Sequence, residues 1–358
     1  MAGGAGQLAT VGTSAPSAGS APRPHVVSWE VTRACQLHCR HCRARALRRR
    51  DPGELSLAEC QHVLDDLADG FERPPVLVLT GGDPLERDDL ESIIAGGVAR
   101  GITVALAPSV TPRLTPEVVR RWRDLGATSV ALSLDGADAR VHDRFRGVVG
   151  TFERTREVAR AVVATGLRLQ FNTAVGNATA ATLPAVGRLV TQLGATSWEC
   201  FFVIPTGRAR PRDCLTAPAL ELWLGWLARW AARVPFRVTA VGAPQYIRVS
   251  AAVTPQSEPA RPIVREARGF AFIDHRGDVF PSGYLPVAGG NVRDRPLSSV
   301  YQESDLFRAL RDPTQLRGGC AACSYREVCG GSRARAYAAT GDYLASDPGC
   351  PLSLAPTA

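Results

Sequence analysis

The sequence predicts an α/β protein, a partial (β/α)6 TIM-like barrel followed by a small C-terminal domain. Two observations carry this expectation. From His25 onward short β-branched runs alternate with amphipathic stretches, the pattern of strands and helices on a parallel sheet. Past residue 250 the alternation gives way to a Pro- and Arg-rich stretch and then to a hairpin signal. With 358 residues, 45% hydrophobic and 21% charged, the chain can bury a sizeable core.

Six strands are expected, over residues 26–31, 75–79, 103–107, 129–134, 168–173 and 198–204. The helices between them carry their own start and stop signals. Ser56-Leu-Ala-Glu59 is a capping box, Thr115-Pro116 pairs an N-cap with proline at the first helical position, and Gly126 and Gly166 sit at helix ends. A helix is expected near 218–233, and residues 269–274 and 278–280, joined by His275-Arg-Gly277, read as a hairpin. The expected organisation is a leader over 1–24 without order, a barrel over 25–240, a linker over 241–268 and a second domain over 269–358. In a parallel barrel the functional groups sit where strands end and the next loops begin. Cys35 to Cys42, Thr80-Gly-Gly-Asp-Pro84, Ser133 with Asp135, and Asn172 all fall at such places.

All 42 basic residues are Arg, giving a formal charge of +8. The lack of Lys excludes Schiff-base catalysis and any lysine-dependent phosphate loop. No basic stripe is interleaved with aromatics, so nucleic acid is not an expected partner. Residues 1–24 lack the basic start and apolar block of a secretory signal, and no later stretch approaches the ~20 apolar residues of a membrane span. The expected location is the cytoplasm, where ten cysteines are free thiols or metal ligands rather than disulfides.

Their clustering points to ligands. Cys35, Cys39 and Cys42 form C-x3-C-x2-C on one loop. A structural zinc needs four protein ligands, which His38 or His41 would complete. A cubane iron–sulfur cluster held by these three thiolates would instead keep one iron open for a small molecule. Cys320, Cys323, Cys329 and Cys350 offer four thiolates, enough for zinc or a complete four-iron cluster. Of the scattered cysteines, Cys60 reads as a small buried hydrophobe and Cys200, alternating with Trp198 and Phe202, as a candidate for the barrel cavity. Cys214 receives no role.

The cysteine loop, the Gly81-Gly82-Asp83-Pro84 turn and Ser133-Leu-Asp-Gly136 together resemble the radical S-adenosylmethionine (SAM) enzymes. The resemblance implies a [4Fe-4S] cluster on Cys35, Cys39 and Cys42, with SAM chelating the open iron and cleaved reductively to a 5′-deoxyadenosyl radical that takes hydrogen from substrate. It implies that Gly81, Gly82 and Asp83 hold the methionine amino group and that Ser133, Asp135 and Asn172 contact the ribose and carboxylate. The family usually has Glu where this chain has Asp83. Trp29-Glu30-Val-Thr32, His142-Asp-Arg-Phe-Arg-Gly147 and Pro205-Thr-Gly-Arg208 extend the likeness, with Arg146 and Arg208 as candidates for gripping an anionic substrate group.

The C-terminal cysteine stretch resembles the SPASM or twitch extension of that family, which implies a second, auxiliary [4Fe-4S] cluster on Cys320, Cys323, Cys329 and Cys350. Ser282 and Arg333 stand where a full SPASM domain has further cysteines, so one auxiliary cluster is expected. The segment Cys329 to Tyr337 resembles the tails of alternative heme synthases and heme d1 maturation proteins, which act on tetrapyrrole propionates and usually have Cys at the Ser332 position. The implied partners are a small anionic substrate, a tetrapyrrole or a natural-product or nucleoside-sugar intermediate, and a flavodoxin or ferredoxin electron donor. A maturase of ribosomal peptides from the same family, and a non-catalytic zinc or iron–sulfur scaffold or sensor, stand as alternatives.

Overall fold

The chain, described here from a computed structural model over residues 21–253 and 265–354, opens with seven parallel strands that lie side by side in sequence order. They are β1 (Val26–Glu30), β2 (Val76–Thr80), β3 (Val104–Leu106), β4 (Ser129–Ser133), β5 (Arg168–Val175), β6 (Ser197–Phe202) and β7 (Arg237–Val241). The first six match the expected strands to within two residues. The seventh was not expected. Most of the expected leader lies outside the described residues.

Helices α1 (Leu57–Asp69), α2 (Leu90–Ala99), α3 (Pro116–Asp124), α4 (Ala139–Arg146), α5 (Thr151–Ala164), α6 (Leu183–Gln192), α7 (Ala217–Ala231) and α8 (Tyr246–Val253) fall between and after the strands. The start signals act as read. Ser56 accepts from the Glu59 amide while the Glu59 carboxylate accepts from that of Ser56, and Thr115 caps α3. The expected linker over 241–268 contains the end of β7 and α8, and its residues 254–264 lie outside the described ones.

Beyond them come β8 (Arg265–Glu266), β9 (Gly269–Ile273), β10 (Asp278–Phe280) and β11 (Gly290–Asn291), then α9 (Leu297–Glu303), α10 (Asp305–Arg311), α11 (Gly318–Ala321), α12 (Arg333–Thr340) and α13 (Pro351–Leu354). The β9–β10 hairpin does not stand apart from the barrel. β9 pairs in parallel with β1, Val26 to Trp29 against Phe270 to Ile273, so the sheet runs on from β7 through β1 to β11. It stays open between β7 and β11.

Alternation along the strands separates two faces. Val27, Trp29, Leu77, Leu79, Val130, Leu132, Leu169, Phe171, Trp198 and Cys200 are fully buried on the helix side. Cys200 therefore follows Trp198 and Phe202 into the core, as their shared alternation implies, and does not enter the barrel cavity. The other face carries the polar set: Ser28, Glu30, Thr80, Ser133, Gln170, Asn172 and Glu199. Among the described residues no helix is long and apolar enough to cross a membrane.

Candidate active site

The cysteine loop occupies residues 31–56, between β1 and α1, and other strand-end loops hold it by backbone contact. After β2, the Gly82 amide donates to the Thr32 carbonyl (2.8 Å) and the Asp83 amide to that of Ala34 (2.7 Å). Only glycine permits this approach. A Cβ on Gly81 would sit 2.6 Å from the Thr32 oxygen, and one on Gly82 2.3 Å from the Ala34 oxygen. After β6, Gly207 sits in the left-handed region (φ +66°), and the Arg208 amide donates to the Cys42 carbonyl at 3.0 Å. The Arg208 guanidinium donates to the Cys39 and Ala46 carbonyls at 3.3 and 3.0 Å.

After β4, the Arg146 carbonyl accepts from His38 at 3.2 Å. The Arg146 guanidinium pairs with buried Asp135 at 2.5 Å and donates to the Cys39 sulfur at 3.8 Å. Arg146 and Arg208 are thus occupied with the cysteine loop rather than with substrate, correcting the expectation that they grip an anionic group. The His142 to Gly147 motif serves the same end. His142 Nδ1 accepts from the Asp135 amide (3.1 Å), and Asp143 accepts from the amides of Gly150 and Phe152 at 2.7 and 2.8 Å, capping α5.

The clustered cysteines share one kind of sulfur environment. Cys35, Cys42, Cys323 and Cys329 accept backbone amides from Leu37, Ala46, Tyr325 and Gly331 at 3.4 to 3.5 Å. Cys320 accepts from the Asp347 amide at 3.4 Å and from Arg333 at 3.6 Å, Cys39 from Arg146, and Cys350 from Arg248 at 3.7 Å. Cys60 and Cys214 donate to the Leu55 and Arg210 carbonyls, and Cys60 also receives a bond from Arg87. N–H groups aimed at sulfur favour thiolate, the form a metal requires. Burial alone opposes ionisation, pushing the Cys35 and Cys329 thiols up to about 11 and those of Cys39 and Cys320 upward as well. A bound metal reverses that preference outright. Among the described residues no three or more His, Cys, Asp or Glu side chains are placed to hold a single metal ion, and what fits sulfur-ligated iron is the chemistry of the donors, three thiols at one place and four at the other. His41, the alternative zinc ligand, stacks on Phe145 at 4.3 Å, and His38 is exposed.

The residues expected to contact SAM gather at the same strand ends. Ser133 and Asn172 are register partners, and Glu199 lies level with Asn172 on β6. Asp135 is fully buried, and its carboxylate accepts from the Ala174 amide at 2.7 Å. Although burial opposes it, the charge of Arg146 holds that carboxyl below the usual range. The Asp83 side chain is fully buried and engaged, accepting from Thr111 at 2.7 Å and from the Leu85 amide at 3.3 Å. Burial pushes it up to about 6.

Sequence reasoning missed Ser109, which follows β3, donates to the Gly82 carbonyl at 2.6 Å and accepts from the Cys35 thiol at 3.4 Å. It also missed the contacts that tie the C-terminal hairpin to the polar face. There Glu30 pairs with Arg43 at 2.6 Å and with His275 of the hairpin turn at 3.2 Å, Arg43 lies over Phe272, and Thr206 donates to the Tyr284 carbonyl at 3.1 Å. A lone Ser, or an Arg beside a cysteine, gives no spacing signal.

At the C-terminal cysteines Asp347 is the organising residue. Fully buried, it accepts from the Ser332 amide (2.7 Å), Gln245 (2.7 Å) and Arg335 (3.1 Å). Ser332 caps α12.

A family model described as the Radical SAM superfamily matches residues 29–184. The AdoMet-dependent heme synthase of Methanosarcina barkeri is 37% identical, over 91% of this chain and 96% of its own length. The pre-heme d1 synthase of Dinoroseobacter shibae is 30% identical, over 94% and 88%. The crystal structure of Streptococcus suis SuiB shares the fold, with a TM-score of 0.71 at 14% identity over 91% of this chain and 77% of SuiB. With a relative 37% identical over nearly the whole of both chains and a matching family model, the chain belongs to the radical SAM superfamily, whose enzymes use a [4Fe-4S] cluster and SAM.

Proposed function

We propose that this radical SAM enzyme acts on the propionate side chains of a tetrapyrrole. The substrate reading rests on near full-length likeness to proteins named heme synthase and pre-heme d1 synthase. The placement of the cofactors rests on one observation: all seven clustered cysteines present sulfur to N–H donors. Cys35, Cys39 and Cys42 would hold the SAM-binding cluster. Cys320, Cys323, Cys329 and Cys350 would hold an auxiliary four-iron cluster in a module over 269–358.

When bound, the first cluster supplies the electron that cleaves SAM. The chain's own residues fix the loop that presents it: Gly81, Gly82 and Asp83 from one side, Gly207 and Arg208 from another, Arg146 from a third. Asp135 keeps Arg146 charged and aimed at Cys39. Ser133 and Asn172 would face SAM from the strand ends, while Glu30, Arg43, His275 and Tyr284 close the polar face against water. A flavodoxin or ferredoxin in the cytoplasm would be the electron donor.

The test is anaerobic reconstitution, counting iron, sulfide and zinc, with dithionite-driven formation of 5′-deoxyadenosine. Wild type should bind about eight irons per chain, the content of two four-iron clusters. Cys42→Ala should abolish 5′-deoxyadenosine. Cys323→Ala should keep it while losing the second cluster. A propionate-bearing porphyrin should change mass during turnover and its methyl esters should not. Tightly bound zinc with no 5′-deoxyadenosine would refute the reading.

A further inference from the structure

Three guanidinium groups touch a candidate ligand sulfur, and their charges are handled differently. Arg146, at Cys39, faces Asp135 at 2.5 Å. Arg248, at Cys350, grips Glu221 with two bonds of 2.5 and 2.7 Å. Arg333, at Cys320, has no carboxylate partner among the described residues. It is 5% exposed, and its donors go to the carbonyls of Gly331 (3.2 Å), Tyr343 (3.0 Å) and Ala345 (2.7 Å) and to the Cys320 sulfur (3.6 Å).

The backbone is shaped around this contact. Gly331 adopts φ +68°, and a Cβ there would lie 2.6 Å from Arg333 Nη2 and 3.0 Å from the Cys320 sulfur. A buried cation without a counter-charge is costly. The Asp347 carboxylate lies close by, its Cβ 2.8 Å from the same point at Gly331, but it is paired with Arg335, so the negative charge left to balance Arg333 is that of the four thiolates and their cluster.

We propose that Arg333 is the residue that raises the reduction potential of the auxiliary cluster. The inference rests on the reading that Cys320, Cys323, Cys329 and Cys350 hold such a cluster. Adding an electron makes the cluster more negative, so a fixed positive charge and an N–H···S bond both favour the reduced form. Arg146 and Arg248 supply an N–H but bring their own carboxylate, so their net effect is smaller. The asymmetry lifts the auxiliary cluster relative to the SAM-binding one, the direction an electron acceptor needs.

The test is a redox titration, followed by EPR, of the reconstituted full-length chain as wild type, Arg333→Met, Arg333→Lys and Arg248→Met. Arg333→Met should lower the auxiliary midpoint while leaving the SAM-binding cluster where it was. Arg333→Lys, which keeps the charge, should stay close to wild type, and Arg248→Met should shift the midpoint less than Arg333→Met. An unchanged auxiliary midpoint in Arg333→Met overturns the proposal. A wild type that binds only one cluster overturns instead the reading beneath it. If Arg333→Met fails to assemble, pulsed EPR decides, using the Arg248→Met chain grown on arginine with 15N in the guanidino group. A nitrogen coupling to the reduced auxiliary cluster that Arg333→Lys removes supports the contact; no coupling, or one that survives Arg333→Lys and so comes from Arg265 beside Cys329, overturns the proposal.

Discussion

A fully buried carboxylate with neutral partners is expensive when ionised, and Asp83 is in that position. Its bonds come from Thr111 and the Leu85 amide, neither of them charged. Burial moves it from the 3.8 of a free side chain to about 6. A carboxyl whose folded-state value is raised contributes stability that is complete below the unfolded value and is lost as pH rises through the folded one. Wild type should therefore lose stability between about pH 4 and pH 7, by up to roughly 3 kcal/mol at 1.36 kcal/mol per unit. Asp83→Asn keeps an acceptor for the Leu85 amide, and Thr111 can turn its hydroxyl to accept. The variant should lack this loss, so its melting temperature relative to wild type should rise from pH 4 to pH 8, with about half of the rise complete by pH 5. Identical pH profiles for the two in thermal denaturation would show that Asp83 titrates normally.

At the scale of elements, the site is one irregular loop clamped by three others, and the clamps are backbone to backbone. Gly207 is the most exacting of them. A Cβ there would fall 2.3 Å from the Arg43 oxygen and 2.4 Å from that of Cys42, on a backbone at φ +66°. Carbonyl oxygens of a fixed loop cannot swing aside as a side-chain tip can, so the loop itself must move. Gly207→Ala should thus lose the iron at Cys35, Cys39 and Cys42, about half of the total for two four-iron clusters, and with it 5′-deoxyadenosine formation. The C-terminal cluster should remain, as iron analysis and EPR would show. The sequence displayed the cysteine loop, the glycine turn and the capping boxes because each is a local signal. It could not display that Arg146 and Arg208 are spent on the loop. Which carbonyl a guanidinium reaches depends on how α4 and the post-β6 turn pack, and spacing carries no record of that.

At the scale of the whole molecule, six strands were legible because apolar runs and helix caps alternate along the chain. The seventh, Arg237–Val241, begins with an exposed Arg and follows α7 after a short connection, so it reads as helix tail. The docking of β9 onto β1 was also invisible, since a hairpin pattern says nothing about which sheet edge it joins. Yet that docking makes the C-terminal third part of the barrel's own core. Ala271 and Ile273 are fully buried beside β1, and Leu297, Val300, Tyr301 and Phe307 share one apolar cluster with Trp29, Leu64 and Leu67. The Tyr301 hydroxyl accepts from the Gly269 amide at 2.9 Å, fastening α9 to the start of β9. A chain ending at Val253 would expose the β1 edge and the faces of Trp29, Leu64 and Leu67 that these C-terminal residues cover. At about 25 cal/mol per Å2, each ~100 Å2 of apolar surface so uncovered costs about 2.5 kcal/mol, a large share of the ~5–15 kcal/mol by which a domain is stable. The truncated chain should be insoluble or lack a cooperative unfolding transition, even with the SAM-site cysteines intact. Cys323→Ala, which removes a ligand and leaves the polypeptide, should stay soluble and unfold cooperatively. Circular dichroism melts of the two separate a requirement for the C-terminal chain from one for its cluster. A truncated chain that melts cooperatively would mean that the barrel closes its β1 edge without β9.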